Sequence, residues 1–428
     1  MMPMRNTITF YDAQKQMGPV SFSTMVKPAG SSCNLDCSYC YYLDKAMQYG
    51  GYQRVMSDEL LELYTRQYIE ANDVDVVHFN WHGGEPLLLG IDFFNKAMSL
   101  QQKYADGKRI ENTLQTNGTL VNEQWCDLFT SNHFLVGISL DGPEDIHDAY
   151  RLTKGGKPTF ASVMRAIEMF HQHGVDFNTL SVVNRSCEGR GAEIYRFLRD
   201  TVHSRYMQFL PAVEHVIDLP ISADPPQAPD LQAADIAHSR AAKRRPLIVS
   251  PEREGARMAD WSVTAKGYGE FLCNIFDEWV KGDIGHTFVQ IFDATLAQWC
   301  GVQPGVCSMG ETCGDALVVE HNGDVYSCDH FVYPEHMLGN IKTTTLADIY
   351  NSQKRRDFGL AKRNALPMEC LRCKYHFACR GECPKHRFEK DNEGYLKNSL
   401  CEGFKMFFSH VEPYMDFMRD QLAAQSRR

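Results

Sequence analysis

The residues best suited to chemistry in this chain are thiols. Cys33, Cys37 and Cys40 stand in a C-x3-C-x2-C spacing within SSCNLDCSYCYYLDK. A four-iron cube is usually held by four thiolates, so three suit a cluster whose remaining iron stays open to an outside ligand. A zinc site or unrelated thiols are the alternatives that spacing alone leaves standing. Toward the C-terminus, Cys307, Cys313 and Cys328 precede the run Cys370-x2-Cys373-x5-Cys379-x3-Cys383, and Cys401 follows. These eight thiols make two sets of four, a count that two zinc ions satisfy as well as two iron–sulfur clusters.

The elements that must position these thiols are legible as alternating β-rich and helical runs between Ser21 and Pro211. Six runs read as strands: Phe22 to Val26, Val74 to Trp81, Asn112 to Thr116, Leu135 to Leu140, Phe177 to Val183 and Tyr206 to Leu210. Several are apolar enough to be buried on both faces, as in a parallel sheet. Between the fourth and fifth, Thr159 is placed to cap a crossover helix with apolar Phe160, Val163, Met164, Ile167 and Phe170, and Gly174 lies beyond its end. Six βα units over this span are too few for a closed eight-fold barrel, so an open, partial barrel is expected.

Residues 1–20 read as an N-terminal extension, 21–217 as the partial barrel, 218–299 as an insertion with linker helices, and 300–428 as a cysteine-rich domain with a C-terminal helix. The stretch Asp218 to Arg257 is rich in Ala, Pro and charge. A helix is expected near Gly267 to Val280, and a hairpin over Ala316 to Ser327 turning at Asn322-Gly323.

A chain of 428 residues with 43% hydrophobic and 23% charged residues has a globular composition. Its 44 basic and 54 acidic residues, a net charge of -10, disfavour a nucleic-acid partner. No run of about 18 uncharged apolar residues is present, and MMPMRNTITFYDAQKQ lacks a signal core, so a cytoplasmic protein without a membrane span is expected. In a reducing cytosol fifteen cysteines serve metals or catalysis rather than disulfides.

The chain resembles the radical S-adenosylmethionine (SAM) superfamily. The triad spacing matches, Tyr39 is the aromatic that normally precedes the third Cys, and Gly83-Gly84-Glu85-Pro86 after the second strand resembles the family's GGEP turn. The resemblance implies a [4Fe-4S] cluster on Cys33, Cys37 and Cys40 whose open iron chelates SAM, with Tyr39, Gly83, Gly84 and Glu85 on the SAM side. Ser139, at the end of strand four, and Leu210, in MQFLPAVE, are implied contacts to SAM and its adenine.

The C-terminal run resembles a SPASM domain, which implies two auxiliary [4Fe-4S] clusters and three clusters in all. Cys307, Cys313, Cys328 and Cys383 would hold the nearer, and Cys370, Cys373, Cys379 and Cys401 the outer. Cys126, Cys187, Cys273 and Cys300 then remain as buried or linker thiols.

Within this superfamily the phrases HFNWHGGEPLL, TNGTL, ISLDGPEDIHDAYR and VYSCDHF look like anaerobic sulfatase-maturating enzymes. That likeness implies oxidation of a Ser or Cys, in a C/S-x-P/A-x-R peptide of a sulfatase, to Cα-formylglycine. Asp329 would be the base, Tyr42 an aromatic at the substrate, and a flavodoxin or ferredoxin the electron donor. His82 departs from the pattern, since Gln is common there. Another SPASM peptide modifier and a non-catalytic metal or electron-transfer protein are the competing readings.

Overall fold

The computed structural model describes residues 21–49, 55–218 and 246–425. The N-terminal extension 1–20 and the centre of the expected insertion, 219–245, lie outside the described residues. All six expected strands form: β1 Ser23–Lys27, β2 Val76–Trp81, β3 Arg109–Thr116, β4 Leu135–Ser139, β5 Phe177–Val183 and β6 Tyr206–Pro211. They pair in parallel in simple consecutive order. Helices cross between them and bury apolar faces on the sheet, so Phe79, Trp81, Phe94, Val136, Ile138 and Phe170 share one core.

The crossover helix before β5 spans Phe160–His173 and ends at left-handed Gly174, as expected. Its start needs a correction. The Thr159 hydroxyl donates to the Arg151 carbonyl, 2.7 Å away, and the Asp148 carboxylate caps the helix by accepting from the backbone N–H of Thr159 and Phe160 at 2.8 and 3.0 Å. A carboxylate eleven residues upstream outcompetes the local hydroxyl because the chain folds back there.

After β6 the chain forms a small antiparallel sheet with β7 His215–Ile217 between β8 Leu247–Ile248 and β9 Arg257–Met258. A helix follows over Ala265–Trp279, capped by Thr264. The main sheet is wider than six strands. Beyond β6 comes the two-residue β10, Phe288–Val289. At the other edge β11 Ala316–Glu320 pairs in parallel with β1, from Ser23↔Ala316 to Lys27↔Glu320. The antiparallel β12 Asp324–Tyr326 and β13 Met337–Asn340 complete ten strands. The cysteine-rich region therefore continues the barrel's sheet.

A two-stranded ribbon, β14 Arg387–Lys390 and β15 Leu396–Asn398, precedes the C-terminal helix Cys401–Gln425. That helix packs against Ala265–Trp279 so closely that a Cβ on Gly403 would meet the Ala265 carbonyl oxygen at 2.1 Å. Glycine there lets the backbones touch and fixes Cys401 at the helix start. No helix among the described residues is long and apolar enough to cross a membrane.

Candidate active site

The loop after β1 carries the thiol triad and is stitched to its neighbours through backbone bonds. Gly84 and Glu85 donate N–H groups to the carbonyls of Gly30 and Ser32, at 2.8 and 2.7 Å, while Asp36 and Ser38 donate to Leu152 and Tyr150. A Cβ on Gly84 would sit 1.9 Å from the Ser32 oxygen, so only glycine fits beside the triad loop. Glu85 is fully buried. Its carboxylate accepts from Leu87 N, Thr116 Oγ1 and Asn117 N at 3.0, 2.8 and 2.8 Å, which ties the turn to the end of β3. Burial pushes its pKa up to about 7.

Cys33 Sγ accepts from Leu35 N at 3.4 Å and Asn117 Nδ2 at 3.8 Å. Burial pushes the Cys33 thiol up to about 12 and Cys37 higher still. Thiols so desolvated become thiolates only when a cationic centre compensates them. Cys33, Cys37 and Cys40 act on one another electrostatically, as do Cys307, Cys313, Cys328 and Cys383. Cys370, Cys373, Cys379 and Cys401 line one pocket. The three sets are those drawn from the sequence, and all fifteen cysteines are free thiols.

The spread of these sulfurs bears on zinc. Four thiolates on one zinc ion, with Zn–S bonds of about 2.3 Å, stand about 3.8 Å apart. Among the described residues no three of these sulfurs lie within 4.8 Å of one another. That spread is wider than one zinc ion holds, and thiols are the donors that an iron–sulfur cube takes.

Between the triad and the nearer quartet lies a buried polar array. Lys27, at the end of β1 and without solvent exposure, forms an ion pair with Asp329 Oδ1. Its Nζ also donates to His82 Nδ1 at 2.9 Å. Burial, reinforced by the Lys27 charge, pushes His82 down to about 3, so the ring is neutral and Nδ1 serves as acceptor. Tyr41 donates its hydroxyl to Asp329 Oδ2. Burial alone would raise the Asp329 pKa, but the charges and hydrogen bond around it, the Lys27 ammonium foremost, together hold the carboxyl well below its usual range. The carboxylate is therefore ionised, and its side chain is 16% exposed.

Tyr42 flanks this array, its ring centroid 4.5 Å from Lys27 Nζ. It is buried, and its hydroxyl donates to Glu320 on β11. Ser139 is buried near the end of β4, accepting from Gln115 Nε2 at 3.1 Å, and Leu210 is 40% exposed on β6. Tyr39 donates to Asp141, which also pairs with Arg151 at 3.1 Å. Sequence reasoning missed Lys27, Tyr41 and the buried pair Lys385–Glu214, whose atoms lie 2.5 Å apart. A lysine ending an otherwise apolar strand, STMVK, was the available signal for the first.

Fold and site together define a radical SAM enzyme carrying iron–sulfur clusters. The model of the radical SAM superfamily matches residues 28–188, and that of the SPASM iron-sulfur cluster-binding domain matches residues 307–374. The chain is 46% identical over 403 residues to a serine-type anaerobic sulfatase-maturating enzyme of Bacteroides thetaiotaomicron, covering 94% of this chain and 92% of the relative. It is 31% identical to a cysteine-type enzyme of Clostridium perfringens, covering 91% and 96%. A solved structure of native anSMEcpe with bound AdoMet and Cp18Cys peptide superposes with a TM-score of 0.76 at 30% identity, over 94% of this chain and 100% of that one. The chain belongs to the family of anaerobic sulfatase-maturating enzymes.

Proposed function

We propose that the protein oxidises a Ser or Cys side chain of a sulfatase, within a C/S-x-P/A-x-R peptide, to Cα-formylglycine. The observation that carries this reading is Asp329, ionised, next to the ligand Cys328 and bonded to Tyr41, the neighbour of Cys40. It supports a proton acceptor between the SAM-side thiols and the nearer quartet. The greater identity to the serine-type relative, 46% against 31%, supports Ser as the preferred target.

Three [4Fe-4S] clusters are assigned, one to each thiol set. When bound, SAM at the open-iron cluster supplies a 5'-deoxyadenosyl radical that takes one hydrogen atom from the target Cβ. Aldehyde formation from Ser then requires the loss of one proton and one electron. Asp329 Oδ2 receives the hydroxyl proton, and Tyr41 holds that oxygen toward the cleft. The nearer quartet, whose Cys328 adjoins Asp329, would hold the cluster that accepts this electron, with the outer quartet beyond it. Ser139 and Leu210 border SAM, with Tyr39, Gly83, Gly84 and Glu85 shaping its side of the loop; Tyr42 supports the substrate wall from behind. A small acidic flavodoxin- or ferredoxin-type donor and a cytoplasmic setting complete the reading.

The test is anaerobic. With clusters reconstituted and reduced, SAM and a peptide bearing S-x-P-x-R or C-x-P-x-R are added, and peptide mass and 5'-deoxyadenosine are followed together. A loss of about 2 Da from Ser or about 18 Da from Cys is expected. Deoxyadenosine without any peptide change would overturn the substrate assignment.

A further inference from the structure

The two auxiliary thiol sets share one buried cation. Arg387 opens β14 four residues after Cys383 and is only 4% exposed. Its Nη2 donates to the Lys362 carbonyl at 2.9 Å, which anchors one end of the guanidinium. Its Nε is buried and has no hydrogen-bond partner. Leaving such a donor unmet in the interior costs about 1–3 kcal/mol, so a missing acceptor is indicated.

Thiols of both sets lie within electrostatic reach of this group. Cys383 and Cys313 of the nearer set and Cys370 of the outer set all act electrostatically on Arg387. Glu382, the carboxylate in range, is already taken by His386 Nδ1 at 2.7 Å and Asn398 Nδ2 at 2.6 Å. Burial works against the guanidinium charge. Among the described residues it makes no ion pair with a carboxylate, so the compensating negative charge must come from the thiolate sets. Lys362, itself buried, braces the nearer set from behind by donating to the carbonyls of Cys307 and Ser308, each at 2.7 Å.

We propose that Arg387 is a donor shared by the two auxiliary clusters, giving its Nε–H to cluster sulfur and raising the reduction potential of both. The physical reason is charge. A cube held by four thiolates is anionic and becomes more so on reduction, and hydrogen bonds to its sulfurs with nearby positive charge favour the reduced form. One cation serving both sites moves their potentials together, which keeps the electron's path between them level. The inference rests on the reading that both quartets carry clusters.

The test uses protein in which Cys33, Cys37 and Cys40 are replaced by Ala, so that every EPR signal is auxiliary. Iron and sulfide analysis comes first; about eight irons per chain are expected from two cubes. Fewer would sink the two-cluster reading, and the inference with it. With full iron, Arg387→Gln is expected to lower both midpoint potentials by at least a tenfold change in the reduction equilibrium, 59 mV for a one-electron couple. Arg387→Lys, which keeps the charge but loses the Nε–H, is expected to shift them less. Either midpoint unmoved in loaded Arg387→Gln overturns the proposal. Should that variant fail to load, ¹⁵N-arginine labelling of the Arg387 protein decides by pulsed EPR. Coupling of arginine nitrogen to both reduced clusters supports the shared donor; its absence from either overturns it.

Discussion

On either side of Cys40 a tyrosine reaches an aspartate that is paired with a buried cation. Tyr39 meets Asp141, which Arg151 neutralises; Tyr41 meets Asp329, which Lys27 neutralises. The two arrays use the same parts to different ends. Asp141 has no solvent exposure, and its Oδ1 also accepts from Val182 N at 3.0 Å, so its oxygens are occupied by groups of the barrel alone. Asp329 keeps a side chain 16% exposed, and its partners come from the opposite half of the chain. Arg151 meets Asp141 through Nε, at 3.1 Å from Oδ1, and Lys27 likewise fixes one oxygen of Asp329 and leaves the other's direction to Tyr41. An aspartate closed on all sides anchors a loop, and one left open on one side can do proton chemistry.

The comparison breaks most sharply at the aspartates. Asp329→Asn is expected to cut peptide oxidation by about 10²- to 10⁴-fold while 5'-deoxyadenosine still forms, as mass spectrometry and chromatography of one reaction would show. Equal loss of both products would remove Asp329 from proton transfer. Asp141→Asn strands the Arg151 charge and is expected to cost about 3–5 kcal/mol of stability in anaerobic urea unfolding, with turnover per folded molecule within tenfold of the parent. A catalytic loss larger than the stability loss would erase the distinction.

The tyrosines sharpen it on a smaller scale. Tyr41→Phe removes a hydroxyl bonded to a charged group, worth about 1.5 kcal/mol, so kcat should fall roughly tenfold with little change in unfolding midpoint. Tyr39→Phe should show the reverse pattern. The smallest effect, taken per pH unit, concerns Glu85, buried beside the triad loop but without a cation. Its folded pKa, about 7, lies above the usual 4.5, so its contribution to stability is full below about 4.5 and is lost as pH rises through about 7. Unfolding free energy should therefore decline by up to about 1.4 kcal/mol per pH unit within that window, and Glu85→Gln should flatten the slope.

The sequence made the six barrel strands legible because their apolar runs are separated by glycine- and proline-bearing turns, and strand bounds moved by no more than three residues. The C-x3-C-x2-C triad and the run from Cys370 to Cys383 stand out because spacing is local information, whereas the division of the eight C-terminal thiols into two sets came from the resemblance to a SPASM domain. Pairings across the chain were not legible. β10 is two residues long and too short to carry a pattern, and nothing in Ala316–Glu320 announces a parallel partner at Ser23–Lys27. Counting from Cys40 singles out Tyr42, but the 3-10 turn that starts at Leu43 sends Tyr41 and Tyr42 to different carboxylates, Asp329 and Glu320. Thr159 has the right type for a cap, yet the carboxylate that reaches the helix end comes from Asp148. Local chemistry reads well from order along the chain; choices between neighbours depend on the direction of one turn.

The pairing of β1 with β11 also has a consequence in time. Domains generally form from the N-terminus as the chain leaves the ribosome. β1 emerges early, yet its second edge and the counter-ion of Lys27 are supplied only by residues near 316–320 and by Asp329. Until then the first strand presents a bare edge and an uncompensated buried lysine, both unfavourable. The barrel therefore stays unfinished through most of synthesis. Asp329, the proposed proton acceptor, arrives with the segment that covers β1, so a nascent chain gains a covered first strand and that carboxylate in the same step.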